Sequence, residues 1–288
     1  MKRLSAVLMA LLLAISITAC SSSKPAESKP SDGGKVEQEK SEQTEQTAQK
    51  GQQVQTETPA NVSAEKGILC VNYTAFKEAR DKIDEYVLEQ SKSHEVVSVN
   101  LGFATVTDLK ILDYLLPLEF MGQSNKSFGK VDLGFETKML QTAWAQDAEL
   151  TYNQDTGYLL KGTNAKGNKL EIKAKFDEDA NSLRLEGYKD GATGLVFEYL
   201  PIEGGYAAQY HYEAVTGNNM GTPVMGLCTY KLIFKGNNGS WARYDNVASE
   251  PESILGRTPD AGSFIDGAAH WFTVSDGKFT GNLNGNAF

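Results

Sequence analysis

The sequence predicts an α+β domain in which one or two N-terminal helices pack on a large curved antiparallel β-meander, half-barrel or barrel-like, of about eight to ten strands. Three observations predict it. Over residues 74–91 apolar side chains recur at helical spacing with charged residues between them. From residue 148 onward the apolar period becomes two, as in Leu170, Ile172, Ala174 and Phe176 alternating with Glu171, Lys173 and Lys175. Clusters of Asn, Asp and Gly interrupt these runs about every 8 to 14 residues, a spacing that joins neighbouring strands by hairpins.

Taken in order, residues 68–71 are apolar and short enough for a strand. Asn72 or Thr74 can then cap a helix over 74–91, whose stripe is Phe76, Ala79, Ile83, Tyr86, Val87 and Gln90. Residues 96–104 read as a strand or extended segment, and 107–116 as a second helix stopped by Pro117. Residues 118–147 carry no clear period, and 136–146 fits helix or strand. Strand patterns follow at 148–153, 157–163, 170–176, 182–189, 194–202, 206–215, 226–235, 240–247, 269–275 and 278–283. The longer connections, 216–223 and 250–267, are rich in Gly, Asn and Pro and are expected to rim a pocket.

The N-terminus has a different logic. Lys2 and Arg3 precede an almost unbroken apolar run over residues 4–17, closed by Ile17-Thr18-Ala19-Cys20. About 14 apolar residues are too few to span a bilayer, which needs about 20. Those twenty residues resemble a bacterial lipoprotein export signal and its lipobox. The resemblance implies cleavage before Cys20, diacylglycerol on its sulfur, and a chain held on the extracytoplasmic face of the cell membrane. Residues 1–19 are then the signal peptide. Residues 20–66 are the lipidated cysteine and a polar linker, rich in Ser, Lys, Glu and Gln, with a typical reach of roughly 35 to 40 Å. Residues 67–288 form a single globular domain.

Charge narrows the partners. The chain carries 28 Lys+Arg against 37 Asp+Glu, a net charge of −9, and the imbalance falls almost wholly in residues 67–288. Such a surface repels phosphate backbones, so no nucleic acid is expected; a neutral or cationic partner is easier to accept. Outside the cytoplasm Cys70 and Cys228 can form a disulfide, which would close a long loop worth about 5 kcal/mol by chain entropy. The other reading is two buried thiols, since Cys228 is in phase with Tyr230, Leu232 and Phe234.

Catalytic signatures are scarce. The sequence contains no phosphate-binding glycine loop and no nucleophile elbow. Asp155-Thr156-Gly157 matches an aspartic-protease tripeptide but sits where a turn is expected, and Asp177-x-Asp179-x-Asn181 begins like a calcium loop without its glycine or its closing glutamate. His94, His211 and His270 lack metal-ligand spacing, so no metal and no cofactor are implied. His211 is a candidate base or an outer-face polar residue in phase with Gln209 and Glu213. Aromatic residues are the most suggestive group: Tyr206, Tyr210 and Tyr212 share one strand face, with Trp241 and Trp271 in later strands. Such rings stack on carbohydrate, line an apolar pocket, or simply fill a sheet core. The expected function is a membrane-anchored, non-catalytic binding or envelope-associated module holding an apolar or carbohydrate ligand. The alternative is an extracytoplasmic hydrolase using carboxylates such as Glu198 or Glu213.

Overall fold

The structure, a computed structural model, describes residues 73–100, 109–121 and 132–288. The expected signal peptide and linker, Cys20, Cys70 and the strand expected at 68–71 lie outside the described residues.

Helix α1 spans Tyr73–Ser91 and buries Tyr73, Phe76, Ile83 and Val87, the stripe that the 3.6-residue period requires. Phe76 stacks on Tyr199 of the sheet with ring centroids 4.6 Å apart and planes 7° from parallel. Burying such a ring contributes about 1.5–3 kcal/mol. A short α2, Glu95–Val99, stands where a strand or extended segment was expected; His94 caps it by accepting from the Val97 N–H through Nδ1. Helix α3 covers Leu109–Leu115, and Pro117 does not end the helical path but sits in the first turn of a 3₁₀ segment, Leu116–Glu119. There its missing N–H costs nothing. Helix α4 spans Leu133–Ala143, resolving the ambiguous stretch; Asp132 Oδ1 accepts from the Phe135 N–H at 3.0 Å as its cap. The described residues thus hold four helices before the sheet, more than the one or two expected.

All strands form one antiparallel sheet whose spatial order is its order in the chain: β1 Glu149–Asn153, β2 Gly157–Thr163, β3 Lys169–Asp177, β4 Ser182–Lys189, β5 Ala192–Ile202, β6 Gly205–Asn219, β7 Thr222–Lys235, β8 Asn238–Tyr244, β9 His270–Ser275, β10 Lys278–Leu283 and β11 Asn286–Ala287. The ten patterned segments all appear. The eleventh strand has only two residues, too few to show a period. The sheet does not close: β1 and β11 are its edges. Residues 216–223, expected as a loop, instead prolong β6 and β7 into one long hairpin.

One face of the sheet carries the main core. Tyr158, Leu160, Ile172, Leu185, Phe197, Tyr210, Leu232, Trp241 and Phe272 share it with Phe76, Leu118 and Leu140 from the helical side. The opposite face is polar over β1–β4, but over β6–β8 it carries a second, small core of Ala207, Ile233, Ile254 and Phe264. Ile254 and Phe264 come from the connection between β8 and β9, which contains α5, Ala261–Ile265. That long connection is therefore a packed cover, pinned where the Tyr244 hydroxyl meets the carbonyls of Phe264 and Asp266 at 2.9 and 2.8 Å.

Candidate functional site

Where β7, β8 and β9 reach one end of the core face, polar side chains replace apolar ones. The register sets Arg243 opposite His270 and Cys228 opposite Tyr212. Because Trp241 points into the core, Arg243 two residues on shares its side, and Asp245 follows just past the end of β8. Asp245 is the hub. Its Oδ1 accepts from Arg243 Nε and, at 3.3 Å, from the Cys228 thiol; its Oδ2 lies 3.1 Å from His270 Nε2. The Asn284 N–H donates to His270 Nδ1 at 3.1 Å, so a neutral imidazole must carry its proton on Nε2 and donate to Asp245.

Arg243 also donates to the Val215 carbonyl, and its guanidinium lies 5.4 Å over the Tyr230 ring, itself stacked on Tyr212 at 5.5 Å. Asn284 Nδ2 donates to Asn100 Oδ1 at 2.7 Å, linking the site to the residue after α2. Around these groups lies a cavity of about 420 Å³ reached by Asn100, Thr216, Tyr230, Arg243, His270 and Asn284. The recess offers fixed donors, a fixed carboxylate and an aromatic wall, the set that recognises a small polar molecule.

The same geometry speaks about nucleophilic chemistry. Burial, reinforced by the hydrogen bond to Asp245, pushes the Cys228 thiol up to about 11. A protonated, buried thiol that donates to a carboxylate is a structural group. Cys228 is a free thiol here, and the other half of the expected disulfide, Cys70, lies outside the described residues.

The five aromatic residues do not converge. Tyr210, Tyr212 and Trp241 are buried in the main core, Tyr206 sits half-buried beside it, and Trp271 faces the other side of the sheet. None of the five lines the recess; Tyr212 comes nearest, as the ring stacked behind Tyr230. Asp155-Thr156-Gly157 is a turn in which Asn153 Oδ1 accepts from the N–H groups of Asp155 and Thr156. Asp177 likewise accepts from Ala180 N–H, and Asn181 takes a left-handed φ of 48°. Among the described residues no group of three or more His, Cys, Asp and Glu is placed to hold a metal ion.

Glu198 is fully buried on the opposite face, and both oxygens are engaged twice. Oε1 accepts from Arg184 Nη1 at 2.6 Å and Ser253 Oγ at 2.8 Å; Oε2 accepts from Gln209 Nε2 at 2.8 Å and Ile254 N–H at 3.0 Å. Glu213 is exposed four residues beyond Gln209, the register partner of Glu198, roughly 13 Å along the strand. Paired glycosidase carboxylates stand about 5 to 9.5 Å apart. Glu198 clamps the β8–β9 connection to the sheet.

His211, on that same face, is buried and shares a 3.1 Å hydrogen bond between Nδ1 and Thr229 Oγ1. A larger hollow of about 930 Å³ over β1–β4 is floored by solvated ion pairs, Lys161 and Lys173 with Glu171. Sequence reasoning did not single out Arg243, Asp245 or Asn284. The signal for the first two was present: charges continuing the phase of a core tryptophan at a strand end need a polar partner there. Asn284 is brought in by a hairpin turn and had no such signal. A comparison with protein families, with curated proteins and with solved structures finds no match to this chain.

Proposed function

We propose that this chain is a lipid-anchored extracytoplasmic lipoprotein whose domain is a non-catalytic binding module, with a small carbohydrate as ligand in the recess around Asp245. The observation that carries this reading is the convergence of Asp245, Arg243, His270 and Asn284 on one cavity walled by Tyr230. Sugar hydroxyls need donors and acceptors at fixed positions and an aromatic face for the ring, whereas an apolar ligand would leave those charges unsolvated. The anchor rests on Ile17-Thr18-Ala19-Cys20. In this reading the sheet curls around the helices as a half-barrel; a core shared from β2 to β10 supports that curvature.

The experiment is intact mass spectrometry of the full chain extracted gently from its native membrane. A co-purifying sugar mass should be present in the wild type and lost in Asp245→Asn and Asn284→Gly. The second variant suits position 284, whose backbone is left-handed at φ 53°. Equal ligand load in all three proteins overturns the recess assignment. In the same preparations a diacylglyceryl mass should sit on Cys20 and vanish in Cys20→Ala; its absence from the wild type overturns the anchor.

A further inference from the structure

The β6–β7 hairpin outruns the rest of the sheet. β6 pairs with β5 as far as Tyr212, and β7 pairs with β8 as far as Thr229, yet the two go on pairing with each other to Asn219 and Thr222. The base of this extension is still flanked, by the Val247 N–H on the Leu227 carbonyl and by Arg243 on the Val215 carbonyl; beyond it Thr216 to Asn219 form one side of a two-stranded ribbon reaching roughly 13 Å further. A ribbon without flanking strands is marginal by itself. Its side chains do not look outfitted for water: Met220 at the turn is 100% exposed, and Val215, Val224 and Leu227 are between 40 and 50% exposed.

Two further features mark this tip. Residues 214–230 contain no Lys, Arg, Asp, Glu or His in 17 positions, where the chain average of 23% would place about four charges. The turn itself is Met220-Gly221, both left-handed at φ 51° and 87°. Asn or Gly is the favourable choice at its first position, and methionine is not. An unfavourable, wholly exposed methionine is held there although nothing among the described residues packs on it.

We propose that the β6–β7 tip inserts shallowly into the phospholipid interface. A bilayer accepts a flexible apolar side chain without a shaped pocket, and excludes charge, which is how this tip departs from the rest of an acidic chain. Asn218, Asn219 and Thr222 are spaced among the apolar residues to meet headgroups. For proximity alone the inference rests on the anchor at Cys20, whose linker spans roughly 35 to 40 Å. Contact at the tip would orient the domain against the surface to which the linker merely tethers it.

Peroxide oxidation of the full chain in phosphatidylcholine and phosphatidylglycerol vesicles tests it. Met139, on α4, is 39% exposed, so in water Met220 should oxidise faster. In vesicles the order should reverse, and Val224→Asp should restore it. Met220 oxidising faster than Met139 in wild-type vesicles overturns the proposal, as does protection that arises only when envelope proteins are added. Flotation of the chain with the vesicles, read in the same samples, separates loss of the anchor from loss of tip contact.

Discussion

The ring of Tyr114 fills the space that a side chain at Gly187 would occupy, and its hydroxyl fills the space beyond Gly194. Helix α3, whose Ile111 and Leu115 are also in the main core, lays this ring across two neighbouring strands that bear no side chain there. Tyr114 is 5% exposed, so the contact belongs to the main core.

Gly187→Ala should therefore unseat α3, at a cost of about 1–3 kcal/mol from overpacking, and Tyr114→Ala should cost about 3–5 kcal/mol from the cavity left. Because the two changes concern one volume, the double variant should be less destabilised than the sum of the singles. Urea midpoints of the three proteins check this, and strict additivity would show that Tyr114 does not occupy that volume.

Glu198→Ala should destabilise the domain by about 3 kcal/mol, since it strands the Ile254 N–H, leaves Gln209 Nε2 only the Glu252 carbonyl and removes one partner of Arg184. Arg184→Ala should cost less: its side chain is 28% exposed, and Ser253, Gln209 and Ile254 continue to hold Glu198. Both effects appear as shifts in urea midpoint. Proteolysis should cut first in the connection between β8 and β9, which Glu198 fastens.

His211 supplies a pH dependence. Burial penalises its imidazolium and holds its pKa below the ordinary histidine value, with Glu250 and the Cys228 backbone acting weakly the other way. As pH falls through about 6.5, the unfolded chain binds a proton that the folded chain refuses. The contribution of His211 is thus complete above that value and is lost as pH falls below it, until the folded group also titrates. Stability measured from pH 7 to pH 5 should fall more steeply in the wild type than in His211→Gln; parallel curves would contradict the burial.

The strands were legible because a two-residue period and Asn, Asp and Gly turns are local signals, and so was α1, whose stripe runs for five turns. What escaped was set by tertiary context. Residues 95–99 and 133–143 are short or weakly patterned, and their helices are fixed by the caps His94 and Asp132. The core aromatics were visible as a group, but composition does not say that Trp271 turns away from Trp241; only the register does. The recess escaped for a similar reason: the Arg243 and Asp245 pair, His270 and Asn284 come from three segments and meet only when β8, β9 and β10 pair.

The strand order of the sheet, identical to the order of the chain, also dictates how the molecule can be assembled. Every hairpin can close between sequence neighbours at small entropic cost, so the sheet can grow strand by strand as an extended polypeptide arrives from its N-terminal end. Helix α1 cannot share in that. Phe76 meets Tyr199 of β5, and Arg80 reaches the Tyr210 hydroxyl of β6 across 130 residues of sequence, so the first helix must wait until β5 and β6 exist before it has its sheet partners. Its docking on β5 and β6 is the long-range step, and a refolding experiment should find its burial slower than the formation of the hairpins.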